Sequence, residues 1–384
     1  MTISSVEAIP VLYPVSGYFK FFESAAGRPP GRPAVLVRVT AGDGSQGWGE
    51  CVPSPRWSYE TLETVLTTIR NYLAPELVGR DPLDADVLHA AINRTIAPSF
   101  STGQPICKAG IDLALFDLAG KLLKRSAFEL WGRRDRESIS LSWTLNPRAP
   151  TEVEPLVAQA HGRGYRHFNI KIAPDLRTDL ELIRLVRKLA PEAELWADAN
   201  GGYSESDALD MAPKLADLGV AFFEQPVAAN RLSAFARLKR QGALPIIMDE
   251  GIVSTVELEE FHKLNLLDGA AVKVSRAGGL AEARRQIEFL ERHGLIFLGS
   301  GLTDPDVSMA GSVALFCAYG LAHAAALNGP QYLAASAIKM PFRPQQGELA
   351  PPGGAGLGIE IDDAALDRLR LPGSLPWPIL PASE

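Results

Sequence analysis

The sequence is poor in sulfur and in histidine, with 3 cysteines, 5 methionines and 6 histidines among 384 residues. Cys51, Cys107 and Cys317 lie far apart, without the close spacing of a metal site. They read as buried thiols of a protein kept in the reducing cytoplasm. An excess of basic residues is also missing: Lys and Arg number 38 against 45 Asp and Glu, for a net charge of −7. Nothing in that balance calls for nucleic acid or an anionic membrane as a partner. Long apolar runs are absent, so no membrane span is expected. The opening MTISSVEAIPVLYPV has neither a basic n-region nor an apolar h-region, which argues against a secretory signal. What remains is ordinary for a soluble globular protein, 46% apolar and 22% charged, and long enough for a barrel with a second domain.

The informative stretch runs from Lys171 to Lys273. Five apolar runs each end in an ionisable residue: HFNIKI carries Lys171, ELWADAN Asp198, AFFEQP Glu224, LPIIMDE Asp249 and GAAVKVS Lys273. The intervals are about 24 to 27 residues, one strand, loop, helix and loop each. That is the period of a parallel α/β repeat, and the carboxyl ends of its strands are where a (β/α) barrel keeps its chemistry. Taken singly, an Asp after an apolar run is a turn residue or a helix cap, and a buried Lys is a snorkelling side chain. Five such endings in register, in the order Lys, Asp, Glu, Asp, Lys, are poorly explained by caps alone.

Upstream, residues 3–12 and 34–41 alternate like strands, and 58–76 and 83–95 have helical spacing. Between the first two lies SGYFKFFESAAGRPPGRP, either a loose hairpin loop or a lid that closes Phe19, Phe21 and Phe22 over a substrate. GWGECVPSPRWSYE adds a second loop with Trp57 and Tyr59. GQPICKAGIDLALFDLAGKLLKRSAFELWG reads as a long helix ending near Lys124. The barrel is expected to start at SISLSWTLN and to finish with strands at IFLGSG and AAALNGP. The Pro/Gly-rich tail is expected to return to the N-terminal domain and cover the barrel mouth. The resulting division is a capping domain over 1–132, a catalytic barrel over 133–340 and a returning segment over 341–384.

Asp198, Glu224 and Asp249 are three hard oxygen ligands with no His or Cys among them, which suits an octahedral Mg²⁺ and argues against zinc. Such an ion can take a substrate carboxylate and stabilise the charge that forms when a proton leaves the neighbouring carbon. Lys171 and Lys273 would stand on opposite sides of that substrate. A nearby dication should bring their pKa values toward neutrality, making them usable bases. Two bases on opposite faces are what racemisation or epimerisation requires. Asn169 precedes the first lysine, and Asn200 and Glu250 adjoin metal ligands, where they could orient waters or, for Glu250, pair with Lys273. Asp304, in GSGLTDPD, is either a helix N-cap or an acid that binds a cationic substrate group.

Together these motifs resemble the enolase superfamily, and within it the muconate lactonizing enzyme/mandelate racemase family. KAGIDLALFDLAGKLL looks like its capping-domain helix and GWGEC like its substrate-loop segment. WADAN, FFEQP and MDE look like its metal-ligand strands, VKVSRAGG like the strand of its second base, and GAGLGIEID like its C-terminal signature. The resemblance implies an α+β capping domain on a (β/α)₇β barrel, an essential Mg²⁺, a small-molecule carboxylate substrate and a homo-oligomer. Two departures stand out. The family usually has Lys-x-Lys where this chain has Asn169-Ile170-Lys171, and the strand before Asp304 offers no histidine. The second departure speaks against the mandelate racemase and sugar-acid dehydratase branches, and Lys273 implies the muconate lactonizing branch. The expected activity is an isomerase that epimerises or racemises an amino-acid-like carboxylate. A lyase or cycloisomerase working through the same enolate is the alternative, and a non-catalytic binding protein fits least well.

Overall fold

The computed structural model describes residues 1–25, 30–341, 343–372 and 379–381. Residues 26–29, in the segment read as a loose hairpin loop or a lid, lie outside them. Four strands open the chain: β1 (Ile3–Pro14), β2 (Glu23–Ala25), β3 (Gly31–Ala41) and β4 (Gln46–Cys51). β1 and β4 flank β3, both antiparallel to it. The Pro105–Leu123 helix lies directly on β4. Glycines make that approach possible: a Cβ at Gly49 would stand 2.0 Å from the carbonyl oxygen of Gly110, and one at Gly47 would stand 2.1 Å from that of Ala114. The helix stops at Lys124, which is left-handed at φ 55°, and Ser126 caps a short Ala127–Trp131 helix.

After β5 (Ile139–Ser140) the chain builds one parallel sheet: β6 (Ser142–Leu145), β7 (His167–Lys171), β8 (Leu195–Asp198), β9 (Phe223–Glu224), β10 (Ile246–Met248), β11 (Gly269–Val272) and β12 (Ile296–Gly299). The strands neighbour one another in chain order, each joined to the next by a helix. The helix Leu176–Leu189 is typical of these. Asp175 caps it, and Leu180, Ile183 and Val186 recur at helical spacing on its buried side.

A full strand over AAALNGP is not found. Ala325 and Ala326 instead make single parallel bridges with Leu141 and Ser300, just outside the sheet's two edge strands. Trp196, Ile247, Ala271, Leu298 and Ala326 form one apolar cluster. The first four lie two residues before Asp198, Asp249, Lys273 and Ser300, on the same face of their strands. An apolar floor therefore lies beneath the ionisable residues.

The first described strand of the tail lies at the opposite end. β13 (Glu348–Leu349) pairs with β5, which precedes β6 and so lies at the amino ends of the parallel strands. Glu348 is held there by the hydroxyls of Ser138 and Ser140. Beyond it the described part of the tail packs on the N-terminal sheet and its helix. Leu357 donates its amide to Asp117 at 2.9 Å, the Asp363–Leu369 helix packs on β1, and β14 (Ile379–Pro381) pairs with β2.

Candidate active site

Parallel register sets the site. Lys171 pairs across the ladder with Asp198, and Asp198 with Glu224, so three strand ends deliver their side chains at one level. Asp249 and Lys273 follow the last residues of β10 and β11. All five are buried. Asp198, Glu224 and Asp249 each offer a carboxylate oxygen, and these atoms lie within 4.8 Å of one another.

Each carboxylate already has a donor. Lys171 Nζ is ion-paired with Asp198. Trp196 Nε1 donates to Glu224 at 2.8 Å. Lys273 Nζ lies 2.9 Å from Asp249 Oδ2, and Arg276 holds Oδ1 of the same group. Lys273 also donates to Ser300 Oγ at 2.8 Å. It does not pair with Glu250, an option left open by the sequence. Glu250 Oε1 instead accepts from Trp57 Nε1 at 2.8 Å and from Asn200 Nδ2 at 3.0 Å. Asn200, left-handed at φ 44°, also donates its backbone N–H and its side-chain amide to Asp198. Asn169 Oδ1 accepts from the hydroxyls of Ser142 and Thr144 at 3.1 and 2.9 Å, which fixes the amide beside Lys171.

Crowded negative charge controls the titration. Burial and then the charges of Asp198 and Asp249 push Glu224 up to about 8. Burial also opposes ionisation of Asp249, but Arg276 and Lys273 outweigh it and hold that carboxyl low. Burial lowers Lys171, yet Asp198 and Glu224 raise it more, so it sits above its ordinary value. Three hard oxygens converge, burial and the two neighbouring carboxylates oppose ionisation of Glu224 among them, and the buried Glu250 Oε2 and Asn200 Oδ1 have no hydrogen bond. This donor set fits a hard divalent cation.

Aromatic side chains lie over the two lysines. The Trp57 ring sits 5.7 Å from Lys171 Nζ and 5.0 Å from Lys273 Nζ. Phe21 stacks on Trp57 with centroids 4.3 Å apart and planes 2° apart. Phe19 and Phe22 are buried against Tyr332 instead. Tyr59 is 64% exposed at the outer rim, where a cleft of about 300 Å³ runs between it, Trp57, Glu250 and Arg276. Asp304 is not a helix cap, since the Asp306–Ala318 helix starts without a side-chain cap. Its Oδ1 accepts from Leu302 N–H at 3.3 Å, its Oδ2 is buried without a hydrogen bond, and burial raises its pKa. Arg32 joins this loop to the Trp57 loop by donating to Leu302 O, Pro53 O and Val52 O.

Sequence reasoning gave no role to Trp196, Arg276 or Ser300. Trp196 and Arg276 stand inside the quoted motifs WADAN and VKVSRAGG, two and three residues from ionisable ends, and that was the only signal. Ser300 carried none, because its role depends on β12 lying beside β11.

Comparison with known proteins agrees with this geometry. Residues 22–132 match the mandelate racemase/muconate lactonizing enzyme N-terminal domain, and residues 152–365 match the enolase C-terminal domain-like model. Chloromuconate cycloisomerase CbnB of Cupriavidus necator is 31% identical over 334 residues, covering 85% of this chain and 89% of that protein. N-succinyl-L-Arg/Lys racemase of Bacillus cereus is 26% identical over 341 residues, covering 88% and 90%. The crystal structure of 2-chloromuconate cycloisomerase from Rhodococcus opacus superposes with a TM-score of 0.87 at 29% identity, over 96% of this chain and 99% of that one.

Proposed function

Because the chain belongs to the mandelate racemase/muconate lactonizing enzyme family of the enolase superfamily, we propose that it is an isomerase that moves the proton next to a substrate carboxylate, racemising or epimerising an amino-acid-like acid. One observation carries this reading. Two buried lysines, Lys171 and Lys273, both approach the same aromatic ceiling while flanking a convergent trio of carboxylates.

Asp198, Glu224 and Asp249 would hold Mg²⁺. When bound, the ion supplies positive charge at the substrate carboxylate and offsets the negative charge that builds there as the α-proton leaves. The chain's own residues do the rest. One lysine, in its neutral form, accepts the α-proton, and the other, as an ammonium, returns one from the other side. Ser300 keeps Lys273 aimed by accepting its N–H. Arg276 fixes Asp249, and Asn200 fixes Asp198 and Glu250. Trp57 and Phe21 keep water from the chamber. Asp304, buried beside Ser275, is the acid this reading offers to a cationic substrate group.

The architecture that goes with this reading is a (β/α)₇β barrel closed through Ala325 and Ala326, a cap over 1–132, a catalytic part over 133–340 and a returning segment over 341–384. The bridges to Leu141 and Ser300 support the closure. Three buried free thiols support a cytoplasmic setting. Assembly as a homo-oligomer rests on the family alone.

Incubation in D₂O with Mg²⁺ and a panel of N-acyl amino acids, dipeptides and cyclic imino acids tests the proposal. Deuterium should enter the α-position of at least one of them, and absence of exchange in every carboxylate offered refutes it. A second reading is cycloisomerisation, favoured by the relative of 31% identity being a chloromuconate cycloisomerase. There a lysine would deliver a proton to the α-carbon as a lactone closes. Product analysis separates the two, because a lactone and an epimer differ in connectivity. A lyase would be marked by loss of water.

A further inference from the structure

Arg32, near the start of β3, has no part in the isomerase reading. It is only 2% exposed, and its guanidinium divides between two loops. Nη2 donates to Val52 O at 2.7 Å and Nη1 to Pro53 O at 2.6 Å, while Nε donates to Leu302 O at 2.9 Å. Val52 and Pro53 are the root of the Trp57 loop. The next carbonyl, that of Ser54, accepts from Trp57 N–H at 3.0 Å and from Ser58 N–H at 2.7 Å. One tight turn therefore separates the guanidinium from the ring that lies over Lys171 and Lys273. Residues 52–54 are buried, whereas 55–59 are partly or fully exposed, so the root fixes where the loop sits.

Leu302 belongs to the loop that follows β12. Its side chain is buried among Val35, Val37 and Cys51 of the N-terminal sheet. Thr303, the next residue, is left-handed at φ 58° although β-branched, a conformation that only its surroundings can hold. Two residues before Leu302, Ser300 Oγ accepts from Lys273 Nζ at 2.8 Å. Two residues after it, Asp304 feels the positive charge of both Arg32 and Lys273. The middle of this loop is thus gripped from the N-terminal sheet, and its two ends face Lys273. Releasing either loop takes carbonyl acceptors away from a buried cation, which is costly in an apolar setting.

We propose that Arg32 is a positioning residue that latches the Trp57 loop to the Ser300–Asp304 loop, so that the ring over Lys273 and the hydroxyl that aims it move as one unit. The weight of that unit for proton transfer rests on the isomerase reading, whereas the latch can be tested without turnover.

The test follows amide hydrogen exchange with Mg²⁺ present, in peptides covering residues 52–59 and 300–306. In the wild type both should exchange through one opening, so that low urea raises their rates in parallel, to within about twofold. Arg32→Lys keeps the charge, but a single ammonium cannot span two loops. It should speed exchange about tenfold or more in both peptides and leave those of β8 and β9 unchanged. Acrylamide quenching of Trp57, taken as the difference from a Trp57→Phe partner in each background, should rise with it. Different urea dependences of the two loops in the wild type overturn the proposal, and they decide alone if Arg32→Lys does not fold. Unchanged exchange in either loop of Arg32→Lys, or acceleration spread equally through β8 and β9, overturns it as well. A latch that behaves as stated in a protein that exchanges no α-proton leaves the proposal standing and counts against the proton-transfer reading alone.

Discussion

Glu50 offers a prediction whose size can be worked out. It lies in β4, fully buried, and accepts from Tyr13 Oη at 2.6 Å and from Ser308 N–H at 3.1 Å. It therefore ties β1 and β4 to the helix that follows β12. Burial, reinforced by the charges of Asp306 and Asp304 and opposed by those two hydrogen bonds, pushes its carboxyl up to about 8. In the unfolded chain it titrates near an ordinary glutamate value of about 4.3. Between those values the unfolded state has released the proton and the folded state has kept it. Stability is therefore fully present at low pH and falls as pH rises toward 8, by about 1.4 kcal/mol per pH unit and about 5 kcal/mol across the whole window. Glu50→Gln carries no proton in either state and removes this dependence. In urea titrations at pH 5 and pH 8, the mutant should gain about 4 kcal/mol on the wild type between the two conditions. At pH 5 the two should differ only by the changed hydrogen bonding, about 1 kcal/mol. A difference that stays constant with pH refutes the reasoning, because it means that the two donors already hold an ionised carboxylate in the fold.

Lys171→Ala and Lys273→Ala should each lower kcat by about 10²- to 10⁴-fold with unchanged circular dichroism, and full activity in either removes that lysine from the mechanism. Lys171→Ala should also bind Mg²⁺ more tightly, since the ammonium no longer competes for Asp198. Asn169→Lys places a like charge beside Lys171 and should move the rising limb of the kcat/KM profile down by about one pH unit, and an unmoved limb denies the position a tuning role. Removal of Mg²⁺ with a chelator should abolish α-proton exchange. Restoring it to about a hundred times its Kd should stabilise the protein by about 2.7 kcal/mol, and no stabilisation would mean that the trio does not hold the ion.

Much of this site is legible in the sequence because strand ends repeat at a fixed interval, and a parallel register turns that interval into proximity. Lys171, Asp198 and Glu224 meet for this reason alone. Features set by contacts across the chain are not legible. Trp57 reaches Glu250 over 193 positions, and Arg32 reaches Leu302 over 270, with no local pattern announcing either. Ala325 and Ala326 read as part of a strand, yet they make only single bridges.

The close seat of the tail on the Pro105–Leu123 helix bears on how the protein is made. A Cβ at Gly120 would come 2.4 Å from the Cα of Gly356, and Leu371 N–H bonds Pro10 O at 2.9 Å. The first sheet to leave the ribosome thus lacks its flanking partners until residues 356–381 emerge, after the whole parallel sheet has been synthesised. Nascent chains must carry an unfinished amino-terminal layer through most of translation.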